Sequence, residues 1–332
     1  MSGVADTSGS RGSGLTAAAW RRTFREQPLI PLIGLLALLV ALIFVIKPEV
    51  INPGWVGTTL RAAIPLAILA ACQTLTFLTG GIDLSVGAVA SMSGFVVATL
   101  VGPQGLVFAL VVALLIAALA GFLTGVGVGV FKVHPLIMTL GMSLVVLGLA
   151  NVWQLVMVQT GAGVPPVLRW LGSGTFLTVL PNSLLVFLPL AVLVLLVLRR
   201  TGYGRLLYAI GDNPVATRLS GARSWQVLIV LYMVSATLAA LAGFLYSGLS
   251  NVASVTLVDS AVLPSVAAAV IGGTSIMGGR GGYGGTIVGA LILTVLTSLL
   301  SILGLPEAVR QILFGSIIVA VAAAYTRVTA ES

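Results

Sequence analysis

Charged residues are scarce in this chain: Asp, Glu, Lys and Arg make up 7% of its 332 residues. Soluble domains carry about a quarter charged residues, so the composition excludes an ordinary soluble protein. Hydrophobic residues make up 58% of the chain, and its mean hydropathy is +1.17. We therefore predict an all-α polytopic membrane protein, because helices satisfy their own backbone hydrogen bonds in lipid.

Residues that carry metal-binding, redox or phosphate chemistry are also few. The single cysteine, Cys72, lies inside an apolar run, which rules out an intrachain disulfide. There is one histidine, and the acids are too scattered to form a cluster of metal ligands. The lysines are Lys47 and Lys132, and neither ends a glycine-rich loop as the P-loop lysine does. We expect this chain to bind no metal or cofactor and not to hydrolyse ATP.

What the sequence does contain is a series of about ten apolar runs of roughly membrane-spanning length. They cover residues 29–46, 62–78, 86–101, 106–130, 136–158, 184–198, 227–249, 263–276, 286–303 and 312–325. The run at 263–276 is short and ends in glycines, which is typical of a half-helix or a re-entrant segment. These runs predict a membrane domain over 28–326, with tails at 1–27 and 327–332.

The net charge is +8, and the basic residues lie in the short connections between these runs. This placement indicates that they orient the protein in the lipid membrane and do not bind nucleic acid. With the N-terminus inside the cell, four basic residues fall outside: Lys47, Arg61, Arg169 and Arg310. The cytoplasmic side receives Arg21, Arg22, Arg25, Lys132, Arg199, Arg200, Arg205, Arg218, Arg223, Arg280 and Arg327. This asymmetry predicts that both termini are cytoplasmic.

The segment 79–94 interrupts two apolar runs with a glycine pair, a carboxylate and a serine. Glycine loosens the backbone, and Asp and Ser are favoured caps of a new helix. One interpretation is a capped turn at the membrane surface, and the other is a broken helix beside a solute path or a moving interface. The candidate gating residues here are Gly80, Gly81, Asp83, Ser85 and Gly87.

A second glycine-rich segment, 272–285, lacks the Gly-Lys-Ser/Thr ending of a P-loop. Because apolar runs flank it, we predict a second helix break, with Gly272 and Gly273 as further gating candidates. The two breaks occupy similar places in the two halves of the chain, although residue identity between the halves is too weak to establish a repeat.

The cytoplasmic loop 199–225 contains a predicted helix of about two turns. Asp212 or Asn213 suits its N-cap, Pro214 its first position and Gly221 its C′ position. Such a helix either docks a motor subunit or lies on lipid headgroups. The candidate coupling residues are Arg205, Gly211, Asp212, Asn213, Pro214, Ala216, Arg218, Leu219 and Gly221. On the other side, the loop 161–181 is either a structured surface for an external partner or a plain linker.

Four segments together resemble the permeases of bacterial sugar ABC importers, nearest to the ribose, xylose and galactoside branch. They are 79–94, 132–141, 211–221 and 271–280, and the resemblance extends over 29–325. The specific signature is Gly-Gly-Ile-Asp-Leu-Ser-Val-Gly at 80–87. His134 departs from the family, which commonly has proline or another uncharged residue there, and this puts the local loop shape in doubt.

The resemblance implies a multi-pass protein of the bacterial inner membrane with three kinds of protein partner. A cytoplasmic ABC ATPase, which uses ATP and Mg, would dock on the helix after the sixth span. A periplasmic or lipid-anchored sugar-binding protein would deliver the substrate, and a second permease subunit would complete the pathway. A sugar needs hydroxyl partners and no countercharge, so the candidate path residues are Gln73, Thr76, Ser91, Ser93, Asn151 and Gln154.

Three alternatives to a sugar importer remain. A permease of the same fold would carry a nucleoside, an amino acid or a quorum signal. A secondary transporter would need ionisable residues at span centres, where they are almost absent. An intramembrane protease would need His134 as its base, and that residue lies beside Lys132 at the predicted cytoplasmic edge.

Overall fold

The computed structural model describes residues 29–157, 163–176, 179–316 and 319. Helices dominate this part of the chain, as the composition predicts. In chain order they are α1 (Leu29–Ile46), α2 (Pro53–Phe77), α3 (Val86–Gln104), α4 (Leu106–Gly129), α5 (Pro135–Met157), α6 (Pro166–Ser173), α7 (Leu184–Arg200), α8 (Gly202–Asp212), α9 (Pro214–Leu219), α10 (Ser224–Ser250), α11 (Val262–Ile271) and α12 (Tyr283–Ile302). Two short strands, β1 (Thr175–Phe176) and β2 (Leu180–Pro181), pair antiparallel.

Within the described residues, seven helices are long and apolar enough to cross a membrane: α1, α2, α3, α4, α5, α10 and α12. An eighth span arises if α7 and α8 count together, although they are bent by 67° at Thr201. The predicted number of ten is therefore approximate. The predicted half-helix is α11, which has 10 residues and reaches about 15 Å. The predicted run at 312–325 lies largely outside the described residues.

The centre of the bundle consists of α2, α3 and α10, whose middle turns are largely buried. By contrast, α4 and α5 expose many large apolar side chains on their outer faces, such as Leu115, Leu144 and Leu155. Because lipid tails are as apolar as these side chains, such a surface suits a bilayer.

The glycines spaced by four in α4 serve helix packing, the interpretation that the spacing favours. A Cβ on Gly121 would lie 2.4 Å from the carbonyl oxygen of Tyr232, and one on Gly125 would lie 2.5 Å from Cα of Ile229. Neither position has room for a side chain. The backbones of α4 and α10 therefore approach as closely as glycine allows.

The two ends of the bundle differ in structure. At one end, α6 and the two strands cover the start of α2: Arg61 Nη1 donates to the carbonyl oxygen of Ser173 at 2.8 Å. The loop 161–181 is thus a folded surface over much of its length, with residues 161, 162, 177 and 178 outside the described part. The other end holds α8, α9 and the two breaks between helices.

Candidate functional site

The first break separates α2 from α3 and comprises residues 78–85, as predicted. Gly80 has a φ of +73°, which favours glycine. The amide of Gly80 donates to the carbonyl oxygen of Phe77 at 2.8 Å, and that of Gly81 to Thr76 at 3.0 Å. A Cβ on Gly81 would lie 2.7 Å from the hydroxyl oxygen of Tyr232. The break is therefore an ordered turn pressed against α10.

Asp83 connects this break to α10 through its carboxylate. The side chain is buried, with 1% of its surface exposed. Its Oδ1 accepts from the amide of Ser85 at 3.1 Å and from Ser85 Oγ at 2.6 Å, and its Oδ2 accepts from Ser235 Oγ at 2.8 Å. Among the described residues no Lys or Arg forms an ion pair with it. Hydroxyl and amide donors therefore satisfy the carboxylate.

The sequence interpretation of Ser85 as a capping acceptor is wrong. Ser85 occupies the N-cap position of α3, but its side chain makes no capping bond. Its hydroxyl instead donates to Asp83, because that carboxylate is the stronger acceptor nearby. Gly87, two residues further on, allows close packing, since a Cβ there would overlap Val262 Cγ2.

Two other helices satisfy the carbonyl oxygens of the first break. Gln73 Nε2 of α2 donates to the carbonyl oxygen of Asp83 at 2.8 Å, and Thr139 Oγ1 of α5 donates to that of Ile82 at 3.0 Å. A break in a membrane helix needs such partners. Together with Ser235, these bonds tie the break to α2, α5 and α10.

The second break, residues 272–282 between α11 and α12, is also present. Gly273, Gly278 and Gly279 have φ values of +85°, +96° and +70°, which strain any other residue. Gly272 is required for a different reason: a Cβ there would lie 2.5 Å from the carbonyl carbon of Gly285. The glycine-rich segment thus combines a tight backbone path with close packing of α11 on α12.

The two breaks meet each other at the end of α8. The amide of Gly279 donates to the carbonyl oxygen of Leu78 at 3.1 Å. A Cβ on Gly211 would lie 1.9 Å from that same oxygen, and one on Gly278 would lie 2.9 Å from Cα of Gly211. We call this contact of residues 78–80, Gly211 and residues 278–279 the glycine junction. The sequence predicts each segment separately, but it gives no signal that they touch.

The predicted coupling helix is α9, which Asn213 caps: its Oδ1 accepts from the amides of Val215 at 3.1 Å and Ala216 at 2.9 Å. The other predicted cap, Asp212, is instead the last residue of α8. Gly221 has a φ of +85°, as the predicted C′ position requires. The helix is short, with six residues, and the sequence interpretation missed α8 as a separate helix.

Hydrogen bonds connect α9 to α8, and α8 to the second break. Thr217 Oγ1 of α9 donates to the carbonyl oxygen of Ala209 in α8 at 2.8 Å. The hydroxyl of Tyr208 in α8 donates to the carbonyl oxygen of Gly281 in the second break at 3.0 Å. On the outer surface, Leu219 is 83% exposed, and Arg205 and Arg218 are exposed as well. The arrangement links an exposed helix to both breaks.

The candidate path residues fall into two groups. Thr76 and Ser93 donate to carbonyl oxygens of their own helices, and Ser91 Oγ accepts from the amide of Val258 at 2.9 Å. These three and Gln73 are buried inside the chain. Asn151 and Gln154 are exposed on α5. The structure therefore does not bring the six together around one opening, and their role in a path stays a prediction.

The chain matches the family model of the permease component of the branched-chain amino acid transport system over residues 56–322. It is 34% identical to the ribose import permease of Bacillus subtilis (strain 168) over 293 residues, which are 88% of this chain and 90% of the relative. It is 33% identical to the fructose import permease of Rhizobium meliloti, over 87% of this chain and 82% of the relative. The galactofuranose transporter permease of Escherichia coli (strain K12) is 32% identical over 79% and 76%. No solved structure matches the chain.

Proposed function

We propose that this chain, which belongs to the family of permease components of the branched-chain amino acid transport system, is the translocating subunit of an ATP-driven monosaccharide importer. The chain is a multi-pass membrane protein. Relatives named for ribose, fructose and galactofuranose transport, each matching most of this chain, support a substrate of the pentose or hexose class.

The proposal rests on one structural observation: α8 connects α9 to both breaks. In an ATP-driven importer a partner ATPase moves a helix of the permease, and that movement has to reach the segments that open and close the path. Here Thr217 links α9 to α8, and Gly211 lies between the two breaks without room for a Cβ. Packed contacts of this kind change between discrete arrangements.

The docking surface for the ATPase is the outer face of α9. Leu219 and Val215 expose 83% and 55% of their surfaces there. Exposed apolar side chains rimmed by polar residues mark interaction sites, and Arg218 lies on the same helix. The ATPase supplies the ATP and Mg chemistry, so this chain needs no cofactor of its own.

The orientation follows from the charges. The end of the bundle with α8 and α9 carries Arg199, Arg200, Arg205, Arg218 and Arg223, and by the positive-inside rule these charges support a cytoplasmic position for it in a bacterium. Both termini, including the tails 1–27 and 327–332, are then cytoplasmic. The opposite end, covered by α6 and the two strands, receives a periplasmic or lipid-anchored sugar-binding protein, and a second permease subunit completes the path.

The test is uptake by proteoliposomes that contain the permease, its ATPase and the binding protein. We expect uptake of labelled ribose, fructose or another monosaccharide only with ATP inside the vesicles and with the ATPase present. Uptake by the permease alone would contradict the proposal and favour a secondary transporter.

A second candidate function is import of another small polar solute by the same mechanism. The description of the family, which names branched-chain amino acids, is the observation that favours it. Competition in the same vesicles by an excess of leucine, a nucleoside or a monosaccharide distinguishes the two. Competition by leucine but not by sugars would establish the alternative.

A further inference from the structure

A cavity of about 410 Å³ lies behind α9, between that helix, the end of α8, the first break and the starts of α5 and α10. Its walls include Lys132, Arg218, Thr79, Ser224 and Tyr232. Two of these side chains are cationic, and no Asp or Glu of the described residues lines the cavity. The charged side chains that line the cavity are therefore both positive, and both are also exposed to solvent.

Two hydroxyl groups in its walls have no hydrogen-bond partner among the described residues, Ser224 Oγ and Tyr232 Oη. The two side chains are 7% and 1% exposed. Buried polar groups in native proteins are nearly always hydrogen-bonded, and each exception needs an explanation. Both residues also line the cavity, so a ligand bound there is the partner that the proposal below assigns to them.

One hydrogen bond to the backbone restrains the ammonium group of Lys132. Lys132 has a φ of +59°, a left-handed conformation that is uncommon outside glycine. Its Nζ donates to the carbonyl oxygen of Gly129 at 2.6 Å, which leaves two N–H groups for another acceptor.

Arg218 is held in a similar way from the other wall. Its Nε donates to the carbonyl oxygen of Pro214 at 3.2 Å. Neither terminal nitrogen of its guanidinium has a hydrogen bond or an ion pair within the described residues. The fork of such a free guanidinium fits the oxygens of a phosphate.

We propose that this cavity binds a phosphate ester, whose phosphate lies between Lys132 and Arg218 and whose remaining oxygens accept from the hydroxyls of Ser224 and Tyr232. Ammonium and guanidinium groups form strong, short hydrogen bonds with phosphate oxygens. The volume lies within the roughly 300–1,000 Å³ of small-molecule sites. The ester is either a soluble sugar phosphate or the headgroup of an anionic phospholipid, which share this chemistry.

The position of the cavity gives the bound ester a regulatory role, and this part rests on the proposed function. The walls come from α9, from Gly211 of the glycine junction and from Thr79 of the first break. A ligand that fits only one arrangement of these walls shifts the chain towards that arrangement. A sugar phosphate is the product of the phosphoryl transfer that consumes an imported sugar, so its binding would slow import when that product accumulates.

The binding test uses the full-length chain in nanodiscs of zwitterionic phosphatidylcholine, titrated calorimetrically with inorganic phosphate and with ribose 5-phosphate. We expect both to bind, the ester more tightly. Lys132→Gln and Arg218→Gln should each weaken binding about tenfold, and Tyr232→Phe about threefold. The matched control is Lys47→Gln, an exposed lysine at the other end of the bundle, which should bind as the unmodified chain does.

Nanodiscs that contain phosphatidylglycerol distinguish the two sources of the ester. If this lipid blocks the soluble ester, and Lys132→Gln and Arg218→Gln relieve the block, the headgroup is the natural ligand. If the soluble ester binds equally well in both kinds of nanodisc, the soluble sugar phosphate is the natural ligand. The site is overturned if neither the soluble ester nor the lipid headgroup binds, or if both substitutions leave binding unchanged.

The regulatory part has its own measurement in the proteoliposomes. Ribose 5-phosphate on the ATP side should lower the uptake rate of the unmodified complex, and Tyr232→Phe should raise the concentration needed. Calorimetric binding with an unchanged uptake rate would overturn the regulatory role. Because binding is measured on the permease alone, its failure is distinct from a failure of ATP-driven import.

Discussion

Asp83 is the residue on which the first break depends most directly. Its two carboxylate oxygens accept three hydrogen bonds, from Ser85 and Ser235, and it is buried. Hydrogen bonds to a charged group contribute about 1.5–3 kcal/mol each. The carboxylate therefore fixes the break to α10, and its burial keeps both oxygens inside the chain.

We expect Asp83→Ala to abolish uptake while the permease still assembles with its ATPase. The substitution leaves Ser235 and Ser85 without their acceptor, so the break loses its anchor, whereas α9 is untouched. Uptake into vesicles and co-purification with the ATPase measure the two effects. Near-normal uptake would contradict the role assigned to Asp83.

Ser235→Ala should reduce uptake in the same direction by a smaller factor, because it removes one of the three bonds. The matched control is Ser250→Ala in the same helix, where the hydroxyl donates to the carbonyl oxygen of Tyr246. We expect that variant to transport normally. Equal losses at both positions would indicate a general effect on α10.

At the scale of elements, the sequence predicts both breaks and α9 because their signals are local: a glycine pair, a run of glycines, and Asn213-Pro214 before a final Gly221. It does not predict α8, since Gly202, Gly204 and Gly211 give that segment the composition of a loop. Nor does it predict the glycine junction, whose backbone contacts join residues more than 60 positions apart. Hydroxyl residues such as Thr76 are ambiguous for another reason, because they bond to their own helix as readily as to a solute.

Gly211→Ala tests the glycine junction. The new Cβ would overlap the carbonyl oxygen of Leu78, and such overpacking costs about 1–3 kcal/mol. We expect a lower thermal unfolding temperature in detergent and little or no uptake. In the control Gly202→Ala, at the other end of α8, the nearest atom would be 3.8 Å away, so stability should change little. Equal stability of the two variants would show that α8 is not packed against the breaks.

Asn213→Ala tests the cap of α9. Loss of an N-cap costs roughly 1 kcal/mol, which should weaken binding of the ATPase about fivefold. Asn213→Asp keeps the acceptor oxygen and should bind nearly as well as the unmodified chain. Titration of the ATPase onto nanodisc-embedded permease measures both affinities. If the alanine variant binds as tightly as the unmodified chain, docking does not depend on the cap of α9.

At the scale of the whole molecule, the structure is a membrane bundle in which hydrogen bonds and close packing join the two breaks to the exposed helix α9 through α8. Tyr208 and Thr217 supply hydrogen bonds along this connection, and Gly211 supplies close packing. Under the proposed function, ATP hydrolysis by the partner ATPase and movement of the solute are separable, because they depend on different parts of the complex.

Tyr208→Phe should separate them. The variant loses the hydrogen bond to the carbonyl oxygen of Gly281 but keeps the ring, so the fold is retained. We expect the complex to hydrolyse ATP at close to the normal rate and to transport several-fold more slowly. Parallel measurement of phosphate release and solute uptake tests this, and an unchanged ratio of the two would contradict it.

Whether α9 drives transport is tested by ATP-dependent uptake in the complete complex after residues 214–219 are replaced by a Gly-Ser linker of equal length. We expect ATP-driven uptake to be lost, because the ATPase no longer moves α8 and the two breaks. Uptake at the unmodified rate, or uptake by the permease without its ATPase, would contradict it.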